Sequence, residues 1–357
     1  MRKYKICVYA ICKNEEKFVD SFMSTACEAD YVVVSDTGST DTTIEKLRSL
    51  GAIVHSIEVN PFRFDEARQK SLDNVPDDVD ICLSVDLDEI LDSGWYECIQ
   101  KHWQDDTMQG EYLHHYWIKD DKPMGSFINN RMHTRRGFRW IYPCHEVLEC
   151  TENKPVKSVF INDMILRHFP DCSKSRNSYL PLLELTAKEY NIARSLYLLG
   201  AEYIGAGMWD KGIETLEKYF KLPDCIWPEE RAASMRHMAK AYLEKGELQL
   251  AQNWLYKAIA ECPERREAYI DMTLLGIRQQ DYEGVLYFAI QALKIEHPPL
   301  GSTTSVYAWD ATPYDMAAIA CYHLGLKERA LEYSKEAIKT SPEDNRLRDN
   351  HALYEQR

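Results

Sequence analysis

No apolar run in the chain approaches the roughly 18 residues that a membrane-spanning helix needs, so membrane insertion is not expected. The opening residues, Met1 to Lys5, lead into a strand-like segment too short for the apolar core of a signal peptide. The eleven cysteines form no C-x-x-C pair and sit mostly in apolar surroundings, a usage that fits a reduced, cytoplasmic protein. Positive charge is in deficit: 43 Lys and Arg stand against 57 Asp and Glu, for a net charge of −14. That balance argues against gripping duplex nucleic acid by its phosphates, unless a local basic patch such as 131–139 does so. No G-x-G-x-x-G opens the first helical segment, which removes a dinucleotide-dependent dehydrogenase.

What is present suffices for two cores: 357 residues, 45% hydrophobic and 28% charged. The informative motif is Asp86-Leu87-Asp88, which follows the apolar run Ile81 to Val85. A buried strand delivers two carboxylates at alternate positions to its carboxyl end, where open α/β sheets bind their ligands. Mg²⁺ and Mn²⁺ take such hard oxygen ligands and complete their shells with water and phosphates. Upstream, a strand over Tyr4 to Ile11 runs into Cys12-Lys13-Asn14-Glu15-Glu16, and a helix is expected from about Lys17 to Ala29. A second strand, Tyr31 to Ser35, stops at Asp36-Thr37-Gly38-Ser39-Thr40-Asp41. There Gly38 permits a tight turn, and Ser39, Thr40 and Asp41 can cap the next helix. A third strand over Ala52 to Val59 precedes the helical stretch holding Ala67 and Arg68. Alternating strands and helices of this kind predict a mainly parallel sheet.

Ile11 to Glu16, Val34 to Thr43, Ala67-Arg68 and Val85 to Glu89 resemble, in order and spacing, the motifs of inverting family 2 glycosyltransferases. The resemblance implies a GT-A fold, a UDP-sugar donor and Mn²⁺ or Mg²⁺ as cofactor. It makes Asp36 the partner of the base, with Ile11 contributing backbone contacts and Glu15 nearby. Arg68 would reach the base or the diphosphate, where a permanently charged fork suits anionic oxygens; alternatively it pairs with Glu66 or Asp65. Asp86 would face ribose and metal, Asp88 would ligate the metal, and Glu89 either supports the loop or is solvated. His168, at the end of a strand over Ile161 to Arg167, stands where a late histidine joins the metal in several GT-A enzymes.

Between Met124 and Val147, Arg131, His133, Arg135, Arg136 and Arg139 interleave with Phe138, Trp140 and Tyr142. A basic segment in an acidic chain suits diphosphate or acceptor binding. His145-Glu146 follows and resembles the acceptor side of glycosyltransferases that carry helical repeats. Inverting transfer needs a base for the acceptor proton, and Glu146 is the expected one, with His145 orienting or replacing it and Asp163 in reserve. Residues 170–178 read as a connector able to close over the donor.

The second half repeats. Gly212, Ala251, Val285 and Ala330 each have partners four and seven residues on, and successive spacings are 39, 34 and 45. The middle value is the tetratricopeptide period, and the others are that period with insertions. The expected organisation is therefore α/β plus all-α: a GT-A catalytic domain over 1–172, a connector helix over 173–190 and tetratricopeptide-like repeats over 191–357. The repeats offer a concave surface to a peptide or protein acceptor, or a homodimer face. The architecture is similar to that of peptide S- and O-glycosyltransferases. A glycan or modified nucleobase acceptor, a catalytically degenerate repeat scaffold that binds a partner, and a nucleotidyltransferase are the alternatives.

Overall fold

The computed structural model describes residues 3–116, 125–171, 179–301 and 303–356. The chain divides into two compact units, Met1–Thr186 and Ala187–Arg357.

The first unit opens with β1 (Ile6–Cys12), α1 (Val19–Ala26), β2 (Tyr31–Asp36), α2 (Thr43–Ser49), β3 (Ile53–Ser56), α3 (Phe64–Asp73) and β4 (Ile81–Ser84). There follow β5 (Glu89–Leu91), α4 (Trp95–His102), β6 (Gln109–Tyr116), β7 (Gly125–Thr134), the hairpin β8 (Phe138–Ile141) and β9 (Val147–Cys150), β10 (Ser158–His168) and α5 (Tyr179–Glu189). Eight strands form one mixed sheet in the order β3-β2-β1-β4-β7-β6-β10-β5. β3, β2, β1 and β4 are parallel; β7 reverses against both β4 and β6, β6 and β10 are parallel, and β5 reverses again.

The parallel strands are apolar on both faces because both faces are covered. Ile6, Val8, Ala10, Val34 and Leu83 pack with Phe22 and Met23 of α1. Cys7, Tyr9, Val33 and Cys82, which point the other way, pack with Leu72 and Trp140. At the carboxyl edge Cys12 lies beside Asp36, and Tyr9 beside Ser84, so the loops after β1, β2 and β4 emerge together. The expected strands and helices of this half appear at or near their expected positions. The stretch 170–178 largely falls outside the described residues, which resume at Tyr179.

The second unit contains α6 (Ala193–Gly205), α7 (Trp209–Tyr219), α8 (Pro228–Glu244), α9 (Leu248–Glu261), α10 (Arg266–Gln279), α11 (Tyr282–Leu293), a 3-10 turn (Val306–Ala308), α12 (Thr312–His323), α13 (Lys327–Thr340) and α14 (Asn345–Gln356). Four helix pairs, α6/α7, α8/α9, α10/α11 and α12/α13, pack on one another in sequence. Each pair turns through a residue with positive φ: Gly207, Gly246, Gln280 and Gly325. These recur at the same intervals as the repeat, because a left-handed residue ends the first helix of every pair. The small-residue ladder lies on the second helices, and Ala251, Val285, Ala289, Ala292, Ala330 and Ala337 are all at most 1% exposed. The insertion before α12 is tied down: Ser305 N and Trp309 Nε1 donate to Glu267 Oε1, and Tyr307 Oη donates to Asp271.

Candidate functional site

The loops at the carboxyl edge of β1 and β2 are stitched by side chains. Asn14 N donates to Ser39 Oγ (2.8 Å), and Asn14 Oδ1 accepts from Thr40 N (2.7 Å). Asn14 itself takes a left-handed φ of 55°, a conformation asparagine tolerates. Asp36 is buried and accepts from Gly38 N (2.9 Å) and Ser39 N (3.0 Å), closing the turn that Gly38 makes at φ 107°. Its other oxygen faces Cys12 Sγ at 3.5 Å. Glu15 N donates to Thr43 Oγ1 (2.8 Å), and Asp41 Oδ1 accepts from Thr43 N (3.0 Å), which helps secure the start of α2. Ile11 lies beside Ser35 at this same edge.

Beside these loops lies a charge cluster. Arg68 of α3 is buried and approaches both oxygens of Asp86, Nη1 to Oδ1 at 2.8 Å and Nη2 to Oδ2 at 2.9 Å. Its Nε donates to Glu146 Oε1, Nη1 reaches Ser84 Oγ (3.2 Å), and the guanidinium lies over the Trp140 ring. Arg131 of β7 adds a second contact to Asp86 Oδ2 at 3.0 Å and stands 3.9 Å from Glu89 and from Glu146. Burial alone would raise the Asp86 carboxyl, but the two arginines outweigh it and hold the group well below the ordinary carboxylate range. The reverse holds for Arg68: burial disfavours its charge, and Asp86 and Glu146 more than restore it.

Asp86 N donates to Glu89 Oε2 (2.8 Å), so Glu89 does brace the turn between the two aspartates. Burial, and then the charge of Asp86, push the Glu89 carboxyl up to about 7. Asp88 Oδ2 meets His168 Nε2 at 3.2 Å, and Phe169 N donates to the Asp88 carbonyl, which fixes the end of β10 against the D-x-D loop. Burial opposes charge on His168, yet the Asp88 contact and nearby Glu89 leave its pKa raised.

The predicted residues thus separate. Arg68, Asp86, Asp88, Glu146 and His168 come together; Ile11, Glu15 and Asp36 share the neighbouring loops. Asp163 is not brought to the cluster: it is exposed, at the bulge of β10 between Ile161 and Ile165, and its charge is felt by Cys98 of α4. His145 adopts a left-handed φ of 54° and is exposed, whereas the Glu146 side chain is turned inward with 7% exposure. Asp86 is committed on both oxygens to arginine, whereas Asp88 lies against His168. The sequence reading did not single out Arg131 from its basic segment and missed His114. Arg131 could have been noticed only as one of several arginines, and His114 carried no signal in the run Tyr112 to Tyr116 beyond its type.

No family model matches the chain, and no curated protein matches it. Solved structures similar to it align over about half its length. A crystal structure of MamA shares 18% identity over 49% of this chain and 96% of its own, with a TM-score of 0.38. TTC0263, described as a thermophilic TPR protein in Thermus thermophilus, shares 18% identity over 51% of this chain and 91% of its own, with a TM-score of 0.38. The APC/C hetero-tetramer Cut9-Hcn1 shares 12% identity over 50% of this chain and 33% of its own, with a TM-score of 0.41.

Proposed function

We propose that the chain is a divalent-cation-dependent inverting glycosyltransferase that moves a sugar from a UDP-sugar to an acceptor, most simply a peptide or protein side chain. The observation that carries this reading is the convergence of Arg68, Arg131, Asp86, Asp88, Glu146 and His168 beside the carboxyl ends of β1, β2 and β4. An open α/β sheet binds its ligand at that edge, and two arginine forks suit a diphosphate.

His168, with Asp88 beside it, would help hold the cation, which when bound supplies positive charge to the diphosphate. The diphosphate would compete with Asp86 and Glu146 for Arg68 and Arg131, so donor binding would release Glu146. Glu146 then takes the proton of an acceptor hydroxyl or thiol while the acceptor's electron pair forms the bond to the anomeric carbon. The bond from that carbon to the donor oxygen breaks, and its electron pair leaves with UDP. Asp36 would accept from the N3–H of uracil on Oδ1, in place of the long contact from Cys12 Sγ.

Calorimetry with UDP and CDP in the presence of Mn²⁺ tests the donor half. UDP should bind more tightly than CDP, whose N3 is itself an acceptor; equal affinities would remove Asp36 from the base pocket, and binding of neither would remove the donor site.

A second reading, a repeat protein whose business is to bind a partner, is favoured by one feature. The helical unit encloses a groove of about 810 Å³ lined by Lys240, Leu243, Leu274, Arg278, Tyr307 and Met316, among others. Charge substitution at Leu274, which is 42% exposed, separates the two readings. In a transferase whose acceptor lies in the groove it raises acceptor KM and leaves UDP affinity unchanged.

A further inference from the structure

We propose that the cation site lies one residue beyond the D-x-D motif, with Glu89, His114 and His168 as its protein ligands, and that it selects a transition-type divalent ion such as Mn²⁺ or Zn²⁺ over Mg²⁺. One ligand atom from each of these three residues lies within 4.8 Å of the other two. The sheet puts them there: His168 of β10 is paired with Glu89 of β5, and on its other side with Tyr116 of β6, two residues beyond His114 on the same face. The rings are held in place. His114 stacks on Phe127 with centroids 4.4 Å apart, and His168 meets Tyr116 edge-on at 5.1 Å.

The second observation is an orphan. His114 is 4% exposed, yet its Nε2 has no hydrogen-bond partner and faces Glu89 Oε1 at 3.9 Å. A buried polar nitrogen without a partner is costly, and a cation between it and the carboxylate would satisfy both. Glu89 offers Oε1 for this, because Oε2 is occupied by Asp86 N at 2.8 Å while Oε1 has only the longer contact of 3.9 Å with Arg131 Nη1 besides His114. Asp86 cannot do the same, since Arg68 and Arg131 hold both its oxygens. Two imidazoles and one carboxylate suit Mn²⁺, Zn²⁺ or Co²⁺, whereas Mg²⁺ prefers an all-oxygen shell.

Binding carries a tautomer requirement. Asn129 Nδ2 stands 3.0 Å from His114 Nδ1, while Asn129 Oδ1 accepts from Arg131 N. In that arrangement Nδ1 accepts and Nε2 keeps the proton. For Nε2 to ligate, the proton moves to Nδ1 and the Asn129 amide turns over to accept it, the usual outer partner of a metal-bound histidine. Arg131 N then gives up its present acceptor.

The proposal deepens the cation half of the function above and does not depend on the nucleotide half. The test uses the full chain, stripped of metal and without nucleotide, titrated with Mn²⁺, Zn²⁺ and Mg²⁺ alone. One equivalent of Mn²⁺ or Zn²⁺ should bind at least tenfold more tightly than Mg²⁺. The electron-spin-echo spectrum of the Mn²⁺ form should show two imidazole nitrogens, falling to one in His114→Gln, with circular dichroism confirming that the variant is folded. Glu89→Gln should weaken Mn²⁺ binding at least tenfold while keeping both nitrogens. A single-nitrogen spectrum unchanged by His114→Gln, or equal affinity for Mg²⁺, overturns the assignment, as does a folded chain that binds no cation. Failure of UDP to bind a cation-loaded chain would instead overturn the donor reading and leave this site standing.

Discussion

Arg68 grips both carboxylate oxygens of Asp86, at 2.8 and 2.9 Å, just beyond the end of β4. The same guanidinium holds Glu146, so one buried cation ties together the D-x-D loop and the hairpin carrying the proposed base. Removing it strands charge. Arg68→Ala should cost about 3–5 kcal/mol in a denaturant titration, the range for breaking a buried ion pair by deleting one partner. Arg68→Lys should recover part of that, since it restores the charge without the fork. A loss below about 1 kcal/mol for the alanine variant would mean that the carboxylates find other partners.

If Glu146 takes the acceptor proton, Glu146→Gln should lower turnover by about 10² to 10⁴ without weakening UDP binding. The inward turn of Glu146 and the exposure of His145 favour this order of the two. Normal turnover in the variant would move the base to His145.

His133 predicts an acid instability. It is buried between Tyr9, whose hydroxyl lies 2.9 Å from Nε2, and the Thr134 carbonyl, 2.7 Å from Nδ1. Burial, opposed by the Thr134 carbonyl and assisted by Arg135, pushes its pKa down to about 4 from an ordinary 6.5. Its folded value lies below its unfolded one, so its contribution is complete above about pH 6.5 and is lost as the pH falls toward 4. The loss is on the order of 3 kcal/mol. His114 and His237, also lowered by burial, act in the same direction, so the measurement is a difference. The unfolding free energy of His133→Phe should fall less steeply between pH 6.5 and 4 than that of the wild type. Parallel slopes would show that His133 does not titrate there.

At Gly212 the helices α6 and α7 approach closely. A methyl added there would clash with Ile204 Cδ1, and one added at Gly200 would meet Leu216 at 2.6 Å. Gly212→Val should therefore destabilise the helical unit by about 1–3 kcal/mol through overpacking, despite removing a helix glycine. A gain in stability would show that the first pair can spread without cost.

Much of the scaffold was legible because its signals are local. The run Ile81 to Val85 is apolar on both faces and ends in carboxylates, which is what a central parallel strand at a ligand-binding edge requires. The repeat was legible through Gly212, Ala251, Val285 and Ala330, since a small residue is needed wherever paired helices close up. The site was only half legible. Asp86 reads in sequence as a ligand, and only the fold brings Arg68 and Arg131 onto it from α3 and β7. Glu89, His114 and His168 meet across β5, β6 and β10, whose adjacency depends on strand order and on the reversal of β7, neither of which leaves a local pattern. Asp163 is a related case: it lies exposed at the bulge of β10, before the strand's carboxyl end at His168.

The most direct test of the account is a donor panel of UDP- and GDP-sugars incubated with the full chain and Mn²⁺, with UDP, GDP and pyrophosphate measured separately. The account predicts UDP release from at least one UDP-sugar, abolished by EDTA and by Asp88→Asn while the variant remains folded. Release of no nucleotide from any donor, release of pyrophosphate instead, or activity indifferent to EDTA would contradict it.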